Sequence, residues 1–229
     1  MIQRNFFAAL IFCATFYAVG GETTARNALR LESPAVSAAG DIAQTSSETN
    51  ALGAARVADA LSQDPDEQAA LAFLRGRHTG LSRHEEENVA RTVVREAKRY
   101  DLDPALVLAV IQVESGGYNL ATSHVGALGL MQLLPSTAEE LAQRLGLDWR
   151  GDDSLFDPVM NVKLGTAYIK HLSDRYGDVT TALAAYNWGP GRIDQRLRKG
   201  TSVPSTYIDR VMKAFDLAQT RRQLPPTRG

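Results

Sequence analysis

The stretch that decides the fold is DPALVLAVIQVESGG, residues 103–117. Asp103 and Pro104 are typical of a helix N-cap and first turn, and the two glycines at the other end favour termination of the helix. Between them the chain is almost wholly apolar until it reaches Glu114. A carboxyl at the end of such a run is poorly solvated. This favours its protonated form and suits it to donate a proton near neutral pH.

Similar signals predict helices on both sides of this stretch, and period-two alternation of β-branched residues is missing. The start signals are Ser82 with Glu85, Ser136 with Glu139, Asp157-Pro158, Asp178 and Ser205. The helix that starts at Asp157-Pro158 should run to Tyr176. The next helix, which Asp178 caps, should end at Gly189-Pro190-Gly191. The pattern predicts an all-α, compact domain over residues 82–222, with a small turn or hairpin around Leu120 to Leu134 as the exception.

The residues before this domain have a different composition. Residues 1–20 combine Arg4 with an apolar stretch and a small-residue end, which predicts an export signal peptide. Residues 21–81 are predicted to be a flexible linker with a short helix over Asp66 to Leu74, set apart from the domain by glycines. Residues 223–229 are predicted to be a disordered tail.

Charge and metal-ligand content exclude several classes of function. The formal net charge is −1, so no overall field draws the protein to nucleic acid. The single cysteine lies within the predicted signal peptide, and the four histidines show no paired helical spacing. We therefore predict no metal, no cofactor and no nucleic-acid partner, and no stable membrane span once the signal is removed.

No acidic residue occurs between Glu114 and Glu139. The segment therefore offers one carboxyl and not the pair that most glycosidases use. A structural alternative is that Glu114 forms an ion pair with an arginine, as charged groups in apolar helices usually find partners.

Three segments then have to be read together: Glu114-Ser115, SHVGALGLMQLLP at residues 123–135, and AYNWGPG at residues 185–191. Their order and content resemble the SLT-type lytic transglycosylases, which share a goose-type lysozyme-like fold. The resemblance covers roughly Glu87 to Arg222. Any one segment alone would be a weak signal, but the three in register are specific.

The resemblance implies a role for each matching residue. Glu114 matches the catalytic acid and base, and the substrate-binding positions are Ser123, Gly129, Gln132, Tyr168, Tyr186 and Asn187. Tyr186 could hold the Glu114 region through its hydroxyl, whereas Gln132 and Asn187 could read acetamido groups. Trp188 stands where the family usually has a small residue, and as an aromatic ring in a glycine-rich loop it suits stacking against a sugar.

The activity implied is cleavage of the β-1,4 bond between N-acetylmuramic acid and N-acetylglucosamine in peptidoglycan, with 1,6-anhydro products. The expected partners are glycan strands, and the expected location is the periplasm or the exterior of a bacterial cell. The predicted flexible linker also suggests that the protein acts for a secretion or conjugation apparatus. Two alternatives stay open: a lysozyme-type hydrolase of the same bond, and a noncatalytic peptidoglycan-binding component of an envelope-spanning machine.

Overall fold

Eight α-helices make up most of residues 64–223, the part of the chain that the computed structural model describes. They are α1 (Pro65–Arg75), α2 (Arg83–Arg99), α3 (Pro104–Glu114), α4 (Pro135–Leu145), α5 (Pro158–Tyr176), α6 (Val179–Trp188), α7 (Pro190–Arg198) and α8 (Thr206–Gln223), with a 3-10 helix at Asp152–Phe156. Over this range there are isolated β-bridges, Thr122 with Leu128 and Leu128 with Leu133, but no strand. The all-α prediction is confirmed. The signal peptide, residues 21–63 of the linker and residues 224–229 of the tail lie outside the described residues.

The predicted caps of α2 and α3 are present. The Ser82 hydroxyl accepts from the Glu85 N–H at 3.3 Å, and the Glu85 carboxylate accepts from the Ser82 N–H at 2.7 Å. Asp103 accepts from the Ala105 N–H at 2.8 Å at the start of α3. These bonds satisfy N–H groups that a helix leaves free in its first turn.

One local prediction was wrong and one helix was not predicted, and both cases involve proline. Helix α4 begins at Pro135, with Leu134 at the N-cap and no side-chain cap bond, so that Ser136 lies inside the first turn and forms no capping box with Glu139. Gly189 and Pro190 end one helix but also start α7, which the sequence analysis missed. A proline without an N–H and with a fixed φ is as well suited to begin a helix as to break one.

The apolar face of α3 lies at the centre of the main core. Every residue from Pro104 to Ile111 is buried, which explains why this stretch shows no polar face. Helix α8 packs along α3, and Phe73 and Leu74 of α1 are buried in the same cluster. The folded unit therefore begins before the predicted boundary at Ser82, because the short helix in the linker is not held apart by its flanking glycines.

A smaller apolar cluster lies under α4 and includes Leu133, Leu141 and Leu164. Tyr168 of α5 and Tyr186 of α6 pack against both clusters. Leu130 and Met131 of the loop that follows α3 belong to the main cluster, so that this loop packs against the acid-bearing helix. No helix within residues 64–223 is both long and apolar enough to span a bilayer.

Candidate active site

Glu114 is the last residue of α3 and is half-buried. The hydroxyl of Tyr207, at the start of α8, donates to its Oε1 at 2.6 Å. Burial raises the pKa of Glu114 to about 7, against the smaller lowering effects of the Tyr207 bond and the Arg210 charge. A carboxyl with this pKa is protonated in a large fraction of molecules at neutral pH, as a general acid requires.

The arginine-paired alternative for Glu114 is not seen. Within the described residues no lysine or arginine forms an ion pair with it, and the guanidinium of Arg210 donates instead to the carbonyl of Val113 at 3.2 Å. The partner of Glu114 is a neutral donor, since burial first and then Glu114 raise the pKa of Tyr207 well above its usual value. A neutral donor leaves the carboxyl free to exchange its proton.

The loop that carries Gly129 and Gln132 is held by hydrogen bonds to Asn161 of α5. Asn161 is fully buried, and its Nδ2 donates to the carbonyls of Leu128 and Leu155, at 3.0 Å each. Its Oδ1 accepts from the Met131 N–H at 2.8 Å. One side chain thereby bonds three backbone groups, and the Leu128 carbonyl accepts in addition from the Leu133 N–H at 3.1 Å.

Gly129 is required by this packing. It has a φ of 79°, and a Cβ there would lie 2.2 Å from the Asn161 Nδ2 and 2.3 Å from the Leu155 carbonyl oxygen. The backbone of the loop therefore approaches α5 as closely as only glycine allows.

Two further hydroxyls fasten the same loop. The Ser115 Oγ donates to the Leu130 carbonyl at 2.7 Å, and the Tyr186 hydroxyl donates to the Met131 carbonyl, also at 2.7 Å. The Tyr186 hydroxyl is thus engaged by the loop and makes no hydrogen bond to Glu114 itself. Tyr186 still lies within the electrostatic reach of Glu114, which adds to the effect of burial in raising the pKa of Tyr186.

Gln132 has a left-handed backbone, with a φ of 49°, an uncommon conformation for a residue with a side chain. Its Nε2 donates to the carbonyls of Ala121 and Gly129, at 2.9 and 3.0 Å. The side-chain oxygen makes no hydrogen bond within residues 64–223. Of the two polar atoms of the Gln132 amide, the oxygen is thus the one available to a sugar, as a hydrogen-bond acceptor.

Ser123 lies at the other end of the same loop. Its Oγ accepts from the N–H groups of Val125 and Ala127, at 3.3 and 2.9 Å. The hydroxyl shapes the turn with its lone pairs, and its own proton is left for an outside acceptor.

Helix α6 ends in three consecutive predicted residues. The ring of Tyr186 packs against that of Tyr168, with the two centroids 5.3 Å apart. Burial raises the pKa of Tyr168 to about 12. Asn187 is half-buried and makes no side-chain hydrogen bond in the described part of the chain. Trp188 is 38% exposed and belongs to the end of the helix, not to the loop in which the sequence placed it.

Tyr207 and Asn161 were missed as site residues. Tyr207 is separated by 93 residues from the carboxyl that it contacts. Asn161 shares helical spacing with Gly165 and Tyr168, and a Cβ on Gly165 would lie 2.4 Å from the Met131 sulfur. A polar and a small residue at i and i+4 on an otherwise apolar face is a signal that could have pointed to this close packing.

The chain is similar to known transglycosylases. The family model "Transglycosylase SLT domain" matches residues 91–207, just over half of the chain. The chain is 39% identical over 126 residues to a transglycosylase of Enterobacteria phage PRD1, a match covering 55% of this chain and 42% of the phage protein. It is 36% identical over 107 residues to the membrane-bound lytic murein transglycosylase C of Actinobacillus pleuropneumoniae, with 42% of this chain and 29% of the relative covered.

One similar solved structure is that of an inactive mutant of the lytic transglycosylase Slt from Pseudomonas aeruginosa. The TM-score is 0.46 with 34% identity, and the match covers 58% of this chain and 22% of the other. In each case the match spans less than half of the length of the known protein.

Proposed function

The chain belongs to the Transglycosylase SLT domain family. We therefore propose that it cleaves the β-1,4 bond between N-acetylmuramic acid and N-acetylglucosamine in peptidoglycan strands, with Glu114 as the acid and base. The sugars would be held by the predicted binding residues around Glu114, which are Ser123, Gly129, Gln132, Tyr168, Tyr186, Asn187 and Trp188. The reaction is a transglycosylation that ends in a 1,6-anhydro ring.

In the first step the protonated Glu114 donates its proton to the oxygen of the glycosidic bond, and the bond to C1 of the muramic sugar breaks. The positive charge that develops at C1 is relieved by the carbonyl oxygen of the substrate's own N-acetyl group. Because the substrate supplies this oxygen, the reaction needs no second carboxylate from the protein.

In the second step the Glu114 carboxylate accepts the proton of the C6 hydroxyl of the same sugar. The C6 oxygen then attacks C1, displaces the acetamido oxygen and closes the anhydro ring, which returns Glu114 to its protonated form. An internal hydroxyl that is well oriented acts at an effective concentration on the order of 10⁵ M or more. This favours ring closure over attack by water.

The observation that carries the proposal is the environment of Glu114. A lone carboxyl that both gives and takes a proton works best with a pKa near the working pH, and that of Glu114 is about 7. The hydroxyl of Tyr207 fixes the direction of one carboxylate oxygen, and the influences on the pKa of Glu114 are burial, Tyr207 and Arg210, with no second carboxylate among them.

Product analysis tests the proposal. Purified peptidoglycan is digested with the full chain in water enriched in heavy oxygen, and the released fragments are identified by mass spectrometry. We expect 1,6-anhydro ends without heavy oxygen. Reducing ends that carry heavy oxygen would instead identify a lysozyme-type hydrolase, and the absence of released fragments would point to a noncatalytic binding component.

We further propose that the protein acts in the periplasm or outside the cell, where peptidoglycan lies. The apolar residues 6–19 after Arg4 support export. The part of the predicted flexible linker over residues 21–62 supports a role in local opening of the cell wall for a secretion or conjugation apparatus. Deletion of residues 21–62 should impair that apparatus in vivo while purified protein retains its cleavage rate, and full function in vivo after the deletion would argue against this role.

A further inference from the structure

The segment between α1 and α2 lies against the loop that follows Glu114. The N–H of Asn119 donates to the carbonyl of Thr79 at 2.9 Å, and the Nε of Arg77 donates to Gln112 of α3 at 2.9 Å. A Cβ on Gly117 would lie 2.9 Å from the Cδ of Arg77. The backbone just beyond the acid is therefore positioned in part by residues that precede 91, where the family match begins.

This support is hydrogen-bonded on two sides. The Thr79 hydroxyl donates to the Glu86 carboxylate at 2.9 Å, and both side chains are buried, so that the segment is fastened to α2. The side chain of Asn119 donates to the Phe156 carbonyl at 2.9 Å on the opposite side. A loop held in this way presents its side chains with little ordering entropy left to lose on binding.

Two aromatic side chains project from this supported region. The rings of His78 and Tyr118 are nearly parallel, at 11°, with centroids 6.0 Å apart. His78 is exposed, Tyr118 is 39% exposed, and the neighbouring Leu120 is 52% exposed. The pair therefore offers an apolar surface with polar groups at its edges, the phenol hydroxyl and the ring nitrogens of the imidazole.

The position of the pair relative to the acid limits what it can bind. Tyr118 is four residues from Glu114, and even a fully extended chain of that length spans no more than about 14 Å. A glycan strand seated at Glu114 extends beyond the cleaved bond by several sugar rings, so that one of them can reach the pair. The axial C–H groups of an N-acetylhexosamine suit the face of an aromatic ring, and its hydroxyls suit the imidazole.

We propose that His78 and Tyr118 form an accessory subsite for a sugar ring of the glycan strand, beyond the two sugars that flank the cleaved bond. The inference rests on the proposed function, because it takes the ligand at Glu114 to be a glycan. Helix α1 and the segment after it, which lie outside the family match, then have a function: they extend the substrate-binding surface of the domain.

Binding of N-acetylglucosamine oligomers tests the subsite without turnover. The full chain carrying Glu114→Gln is titrated with the hexamer and with the trimer by calorimetry. Addition of Tyr118→Ala should weaken binding of the hexamer about 3- to 10-fold and leave the trimer within about twofold, whereas Tyr118→Phe, which keeps the ring, should retain the affinity for both. Leu217→Ala, at an apolar side chain of α8 that is 59% exposed, is the matched control and should change neither.

Equal affinities of the Tyr118→Ala and parent proteins for the hexamer would overturn the inference. An equal loss for both oligomers would overturn it as well, since it would place Tyr118 at the central sugars or in the fold. His78→Ala is the second variant, and it should also weaken the hexamer selectively. If wild-type protein released nothing from peptidoglycan, the proposed cleavage would fail, but the length dependence of oligomer binding would still decide whether the subsite exists.

Discussion

Substitution of Tyr207 by phenylalanine should move the pH dependence of cleavage upward. The change removes one hydroxyl, which donates to the Oε1 of Glu114 at 2.6 Å and lowers the pKa of that carboxyl against the effect of burial. The phenyl ring still fills the buried position of Tyr207, which is 5% exposed. The main effect should thus fall on the proton affinity of Glu114.

The size of the effect follows from the strength of the lost bond. A hydrogen bond to a charged group contributes roughly 1.5–3 kcal/mol, and one pKa unit corresponds to about 1.36 kcal/mol. Because the protonated carboxyl also accepts from the hydroxyl, only part of this energy separates the two states. We expect the pKa of Glu114 to rise by about one unit from its value of about 7.

The assay is the pH profile of kcat/KM on soluble glycan strands. Glu114 must be protonated to start the reaction, so that activity falls as the pH rises through its pKa, and this alkaline limb should move up by about one unit in Tyr207→Phe. Tyr176→Phe is the matched control, because its hydroxyl donates to Asp194 and has no bond to Glu114. An alkaline limb that stays in place or moves down in Tyr207→Phe would refute the reasoning.

Three other predictions concern stability. The pKa of Glu114 is raised from 4.5 to about 7, so the stability that its protonated form contributes is fully present below about pH 4.5 and is lost as the pH rises through 7. Glu114→Gln should therefore gain about 2.5 kcal/mol over wild type in urea unfolding between pH 5 and pH 8, and a pH-independent difference would contradict this. Asn161→Leu removes three hydrogen bonds to the backbone around the loop, of which the Leu128 carbonyl alone keeps another donor, the Leu133 N–H, and this variant should lose about 2–5 kcal/mol in the same assay. Thr166→Val, on the same helix, removes one bond and should lose about 1 kcal/mol; equal losses would argue against the loop-holding role of Asn161. Gly129→Ala should destabilise far more than Gly126→Ala, because both positions have a positive φ but only at Gly129 would a Cβ meet other atoms within 3 Å; similar melting temperatures for the two variants would count against the close approach.

Local signals predicted much of the fold. The Ser82 capping box, the Asp103 cap and the Asp157-Pro158 start are all present, because each depends on residues within one turn of the chain. The missed helix α7 and the wrong box at Ser136 depend on whether a proline begins or ends a helix, and local sequence is ambiguous on this point.

The position of Glu114 could be predicted, but its partner could not. An acid at the end of an apolar run has a recognisable environment, whereas the contact with Tyr207 depends on how α8 packs along α3. Asn161 is similar: a buried asparagine with three backbone partners cannot be distinguished in the sequence from one on the surface. The acceptor of the Tyr186 hydroxyl could not be predicted for the same reason, since neighbours in space decide which acceptor a hydroxyl reaches.

The most direct test of the central claim is the rate at which Glu114→Gln cleaves peptidoglycan. The amide still accepts a bond from Tyr207 but cannot donate an acid proton or take one up, so we expect the rate to fall about 10²- to 10⁴-fold. Glu139→Gln, at an exposed carboxyl in α4, is the matched control and should keep the wild-type rate. A Glu114→Gln protein that cleaves within about twofold of wild type would contradict the account.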